Sequence, residues 1–248
     1  MAEGDTALSL ASRIVWQSEG LLLVDKPAGL LSQPGASGPN LVDLAMAQLT
    51  ASHVAVLHRL DRNVSGLVML ATRKAEARAM SEAFARGDVD RRYVAIVRGT
   101  PRDELVLDAW LDKDEQRNLV RARDPDAMTE SERDTFVAAR TEIRTLGRFS
   151  ALFGRGATLE ARPITGRSHQ IRVHLAHAGL PIVGDAKYGV RVRGLDRPLL
   201  HAREIRFVHP TTGERVVVTS AEPWSLASVR TLKLVTQKKT SHGSRPGR

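Results

Sequence analysis

The stretch HVAVLHRLDRNVSGLVMLAT, residues 53–72, sets a polar turn between two apolar runs of strand length. The runs 53–57 and 66–72 read as core strands. The turn between them, 58–65, becomes a loop that a scaffold holds rigidly while leaving it exposed. It carries one carboxylate, Asp61, among His58, Arg59 and Arg62. Nearby opposite charge favours the ionised form of an acid. Such a group is a poor proton donor and a reasonable nucleophile or electrostatic stabiliser. The same pattern also fits a structural ion pair, and the turn alone leaves both readings open.

Working outward, LLLVDKPAGLLSQPG (21–35) reads as a buried strand broken by Pro27 and Gly29. PNLVDLAMAQLTA (39–51) reads as a helix with Asn40 as N-cap. KAEARAMSEAFARG (74–87) is a second helix, capped by Gly87. RRYVAIVRG (91–99) and DELVLDAWL (103–111) are β-rich. Residues 113–137 are the most charged section and read as a peripheral excursion around a short strand, NLVRAR. RTEIRTLG, SALFG and ATLEARP, within 140–163, suggest three successive antiparallel strands. SHQIRVHLAHAG (168–179) suggests a helix with Ile171, Leu175 and Ala178 on one side. HAREIRFVHP and ERVVVTSA flank a Pro-Thr-Thr-Gly turn, a hairpin signal. Strands often adjoin without an intervening helix, so the expected fold is α+β with a large, mainly antiparallel sheet.

Composition narrows the function. The 248 residues carry 37 basic and 28 acidic side chains, a formal charge of +9. Six of the positive charges lie from Arg230 onward with no acid. That end reads either as an arm for an anionic partner or as a solvated tail. There is no cysteine, which excludes disulfides, thiolate catalysis and Cys-ligated zinc. No run of the roughly 20 apolar residues needed to span a membrane is present, and the first residues lack a positive n-region. A cytoplasmic protein is the expectation. No Walker loop or G-x-G-x-x-G is present, so no nucleotide cofactor is indicated.

The segment from Arg162 to Gly189 concentrates Arg167, His169, Gln170, Arg172, His174 and His177. The three histidines lack a His-Glu-x-x-His pattern and a nearby ligating acid in a familiar spacing, so no metal is expected. Arg172 lies between Ile171 and Val173; a buried guanidinium there needs a carboxylate partner, for which Asp61 is a candidate. Tyr93 fits a core position, or an aromatic face that stacks on a base.

Together these segments resemble the RluA family of RNA pseudouridine synthases, across about residues 13–220. HRLDRNVSGL resembles its catalytic-loop signature, RRYVAIVRG its tyrosine-bearing strand, and PITGRSHQIRVHLAHAGLPIVGDAKYG its longest signature. LLLVDKPAGLLSQPG and LLHAREIRFVHP match its opening and late strands. Val64 departs from the threonine usual before Ser65. The resemblance implies the pseudouridine synthase fold with flanking helices, a central catalytic cleft and compact members without an S4 module. It implies a catalytic domain over 13–229, between an extension (1–12) and a basic tail (230–248). It implies catalysis by Asp61, Tyr93 and Arg172, with His58, Arg59, Arg62, Arg167, His169 and Gln170 binding substrate, lining the cleft or bracing its loop. The expected activity is isomerisation of uridine in ribosomal or transfer RNA by a monomer without cofactor. A catalytically silent RNA-binding or folding factor on the same fold is the alternative.

Overall fold

Residues Ser65–Ala71 are buried at every position, the pattern of a strand covered on both faces. This strand anchors the fold. The computed structural model describes residues 9–35, 38–49 and 51–235. Its strands are β1 (Ile14–Ser18), β2 (Leu21–Lys26), β3 (Ala55–Val56), β4 (Ser65–Ala71), β5 (Asp90–Arg98), β6 (Glu104–Asp114), β7 (Leu119–Arg123), β8 (Val137–Ala151), β9 (Gly154–Pro163), β10 (Leu200–Val208) and β11 (Arg215–Thr219). The helices are α1 (Leu41–Leu49), α2 (Lys74–Arg86), α3 (Glu130–Arg133), α4 (Gln170–His177) and α5 (Leu226–Arg230).

All eleven strands form one sheet, in the order β1-β2-β4-β10-β5-β9-β8-β6-β7, with β11 on β10 and β3 on β4. Every pairing between these strands is antiparallel except β4 with β10. The late strand β10 is thus inserted between β4 and β5. The largest core cluster runs across that centre and joins Val24, Val68, Tyr93, Ala95, Leu159, Ile171, Leu175 and Leu200. Among the described residues no helix is long and apolar enough to cross a membrane.

The insertion has a steric requirement. Gly66 lies opposite Ala202 in the parallel pair, at φ +115°, and a Cβ there would stand 2.3 Å from the Ala202 carbonyl oxygen. Ser65 fastens the same junction. His201 gives its Nε2–H to the Ser220 carbonyl, so its Nδ1 accepts from the Ser65 hydroxyl at 2.9 Å. Val64, the departure from threonine, is buried in the main cluster, where its methyls pack and a hydroxyl is not required.

Several expectations change. The region 140–163 holds two strands, not three: Gly147 sits at a register shift inside β8, a bulge instead of a stop. The run at 53–57 contracts to the two residues of β3. The helix expected over 168–179 starts only at Gln170, because His169 takes a left-handed backbone at φ 53°; Ala178 is exposed. The section 113–137 is not wholly peripheral, since Lys113 and Asn118 line the central cleft.

The expected tail boundary also moves. Arg230 ends α5, Leu232 and Leu234 pack on a core cluster, and Leu234 bridges to Val192. At the other end Leu10 is fully buried and donates its N–H to Gln48. Residues 1–8 and 236–248, with most of the expected arm, lie outside the described residues.

Two glycines separate strain from collision. Gly66→Ala should lower stability by roughly 2–4 kcal/mol, because backbone strain and overlap with Ala202 add. Gly87 has φ +80° with no atom within 4 Å of an added Cβ, so Gly87→Ala should cost only about 1 kcal/mol. Urea unfolding midpoints of the two variants measure the difference; equal costs would show that β10 tolerates a wider spacing from β4.

Candidate active site

The Asp61 loop is pinned from below before it meets anything else. The Asp61 carbonyl accepts from Val64 N–H at 3.0 Å, closing the turn. The Arg62 carbonyl accepts from Gly29 N–H at 2.8 Å and from Lys26 Nζ at 3.2 Å. Lys26 is wholly buried and also donates to the carbonyls of Pro27 and Leu30. Ser32 Oγ both accepts from the Leu60 N–H and donates to its carbonyl. His58 Nε2 accepts from Met69 N–H at 3.2 Å, while its Nδ1 is buried without a partner among the described residues. Burial, aided by the Arg91 charge, pushes the His58 imidazole down to about 3, so it braces the loop as a neutral ring. Burial also lowers Lys26 from 10.5 to about 7, against the pull of Asp61 and Asp25.

On this platform Asp61 meets Arg172, carried by α4. Arg172 Nη1 donates to Asp61 Oδ2 at 2.7 Å. Its Nε and Nη2 grip both oxygens of Asp185, at 2.7 and 2.9 Å. Asp185 is fully buried, and its Oδ1 accepts the backbone N–H groups of Lys187 and Tyr188. Burial alone would raise its carboxyl; the Arg172 hydrogen bonds and charge and the two amides outweigh that and hold it below the usual range. Burial opposes the Arg172 charge as well, but Asp185 and Asp61 raise its guanidinium above the ordinary value. The Tyr188 ring completes the enclosure, 5.0 Å from the guanidinium carbon.

The expected residues now separate by role. Tyr93, on β5, lies opposite Ala202 and Ala161 and is nearly buried; burial raises its phenol. Asp61, Tyr93, Arg172 and His169 share one cleft of about 1360 Å³. Arg59, Arg62 and Arg167 are exposed on its walls. Arg59 and Arg62, expected to balance the Asp61 charge, do not: among the described residues Asp61 pairs with Arg172 and, at 3.9 Å, faces His169. His58 is a brace, and so is Gln170, expected as substrate-binding. Gln170 Oε1 accepts from the Thr165 hydroxyl and Arg167 N–H, and its Nε2 donates to Arg140 O and Thr141 Oγ1, leaving nothing free for a ligand. The three histidines diverge: His174 is buried on the Thr141 hydroxyl and His177 pairs with Asp124.

Four contributors escape sequence reasoning. Asp185 and Tyr188 lie in the quoted GDAKYG run, but only the fold turns them onto Arg172. Lys26, a lysine closing an apolar run before proline, is a signal legible afterwards. Arg91 lines the cleft with its Nε buried and, among the described residues, without a partner, its guanidinium carbon 5.7 Å from the Phe84 ring centroid.

A family model described as RNA pseudouridylate synthase matches residues 20–177. Ribosomal large subunit pseudouridine synthase D of Xanthomonas campestris pv. campestris is 33% identical over 233 residues, covering 86% of this chain and 66% of that protein. tRNA pseudouridine synthase C of Vibrio cholerae serotype O1 is 34% identical over 230 residues, covering 85% of this chain and 92% of that protein. Among solved structures, human RNA pseudouridylate synthase domain containing 4 superposes with a TM-score of 0.69 at 25% identity, over 86% of this chain and 90% of that one. Human RNA pseudouridylate synthase domain containing 1 shares the fold, with a TM-score of 0.73 at 22% identity over 96% and 94%. The chain belongs to the RNA pseudouridylate synthase family, in its RluA branch, a class of isomerases that act on RNA.

The depressed Lys26 ammonium has a stability signature. Below pH 7 the lysine is protonated both folded and unfolded, so it adds no slope. Between about 7 and 10.5 the unfolded chain holds the proton and the folded chain releases it, so stability rises with pH. Lys26→Met should remove this contribution along with the lysine's hydrogen bonds to the Pro27, Leu30 and Arg62 carbonyls, of which Arg62 keeps its bond from Gly29 N–H. Denaturation midpoints from pH 6 to 10 check it; identical slopes in both proteins would show that the buried amine keeps its proton throughout.

Proposed function

We propose that this chain isomerises specific uridines in ribosomal or transfer RNA to pseudouridine, with Asp61 as nucleophile. The observation that carries the reading is the Asp61–Arg172 pair at 2.7 Å, set beside Tyr93 in the cleft of a chain from this family. In the reaction the N1–C1′ bond breaks, the uracil turns while captive, a C5–C1′ bond forms, and the C5 proton is lost as N1 gains one. No electrons enter and no external group is transferred, so the chemistry calls for no cofactor. The uridine must first leave its stack, which costs a few kcal/mol. Arg59, Arg62, Arg91 and Arg167 offer phosphate contacts that offset this cost.

Asp61 can attack C1′, add to C6, or remove the 2′ proton to give a glycal; all three routes begin from the carboxylate. Arg172 leaves Oδ1 of Asp61 open while holding Oδ2, so one oxygen is fixed and the other is free to react. Tyr93 packs against the base and closes the slot. A silent binding factor would not need Asp61, Tyr93 and Arg172 assembled around one cavity, and that alternative has no observation in its favour. The relatives named above act on ribosomal and transfer RNA respectively, which supports both substrate classes; we take the working unit to be a monomer.

RNA carrying tritium at C5 of uridine, incubated with the protein, should release tritium. Asp61→Asn should lower release by at least 10³-fold, as expected for losing a covalent nucleophile. Undiminished release in that variant would assign the nucleophile elsewhere. Mapping modified uridines in RNA from cells with and without the gene identifies the target.

A further inference from the structure

His169 stands beside Asp61 in a protonation state that its surroundings determine. Tyr188 Oη accepts the Val120 N–H at 2.8 Å, which commits a lone pair and leaves its proton to be placed. Its other neighbour is His169 Nδ1, at 2.7 Å. Donation from the phenol to Nδ1 is the arrangement that uses this proton, and it places the hydrogen of the neutral imidazole on Nε2. Burial lowers the His169 imidazole against the pull of Asp61, with Arg172, Lys187 and Lys113 acting in the same direction as burial, which favours the neutral ring. The left-handed backbone at φ 53° turns this ring out of α4 toward the catalytic loop.

Nε2 ends 3.9 Å from Asp61 Oδ1, the oxygen that Arg172 leaves open. That gap is too long for a direct hydrogen bond. It is the right width for one small atom hydrogen-bonded to both. On one side stands an N–H donor and on the other an anionic acceptor. A carbonyl oxygen satisfies the first and is repelled by the second; an amide N–H does the reverse. A hydroxyl satisfies both, accepting from His169 and donating to Asp61. Beside an RNA-isomerising carboxylate the hydroxyl chemistry present on every nucleotide is the ribose 2′-OH, which serves as donor and acceptor at once and distinguishes RNA from DNA.

We propose that His169 and Asp61 together read the ribose 2′-hydroxyl of the extruded uridine, and that Tyr188 is the positioning residue that fixes the histidine tautomer for this contact. The inference rests on the isomerase reading above. It gives the β6–β7 hairpin a role too, because Val120 at its far side is the outer anchor of the chain Val120 N–H to Tyr188 to His169. The sugar is then checked at the reacting carboxylate itself, so a deoxynucleotide that enters the slot leaves the Nε2–H facing no acceptor.

The test uses a stem-loop around the uridine found by mapping, made with ribose or with 2′-deoxyribose at that nucleotide alone. Wild type should bind the ribose form about tenfold more tightly, the worth of one hydrogen-bonded contact to a charged carboxylate. Turnover does not erase the contact, because pseudouridine keeps the same 2′-OH. His169→Asn, which tolerates the left-handed backbone but is too short to reach, should reduce the preference to about threefold or less, and Tyr188→Phe should reduce it as well. In wild type, ¹⁵N spectra of His169 should show Nδ1 unprotonated and Nε2 protonated, and Tyr188→Phe should relax that bias. Tritium release with an unaltered ribose preference in both variants, or a proton on Nδ1 in wild type, overturns this inference and spares the isomerase. Failure to release tritium from any RNA removes both.

Discussion

A single guanidinium holds this structure's chemistry together. Arg172 is almost enclosed, and a charge so placed is tolerable only when paired and hydrogen-bonded. Asp185 meets that demand with a two-pronged grip and is itself locked by two backbone amides. The arginine therefore has no freedom left when it reaches Asp61. The aspartate inherits its position from a partner 111 residues away in the chain, and not from the arginines on either side of it.

Around that axis the polar side chains divide by exposure. Lys26, Ser32, His58 and Gln170 are buried and spend their hydrogen-bonding capacity on loop backbone and on neighbouring side chains. They are rigid and, for His58, uncharged. Arg59, Arg62 and Arg167 stand exposed on the walls of the cleft. Bracing of the loop and exposure on the cleft wall thus fall to different residues, although several of them are sequence neighbours. His58 and Arg59 are adjacent and do opposite things because one points into the sheet and the other into water.

Much of the architecture was legible because strand and helix periodicity are local. The Asn40 and Gly87 caps, β2, β4, β5 and the late hairpin all lie where apolar runs and turn residues put them. Gly147 misled, since a glycine reads alike whether it ends a strand or bends one. The site was legible in its parts and less so in its wiring. Asp61 and Arg172 announce themselves, one as a lone acid among bases, the other as an arginine in an apolar face. Asp185, Tyr188 and Val120 do not, because what matters is where their atoms arrive after the sheet closes. Gln170 and His58 carry the residue types of ligand contacts, yet burial had already committed them to the scaffold.

The strand inserted between β4 and β5 bears on how the enzyme is made. β4 and β5 are synthesised early, but neither can find its final neighbour until residues 200–208 have left the ribosome. Until then the halves of the future slot have no common wall, and an apolar strand seam stays open. The emerging chain carries that seam unfilled from the end of β5 at Arg98 until β10 ends at Val208, a natural point for chaperone attendance. When β10 enters, the seam between β4 and β5 closes, and the strand that carries Tyr93 is joined to the strand that follows the Asp61 loop.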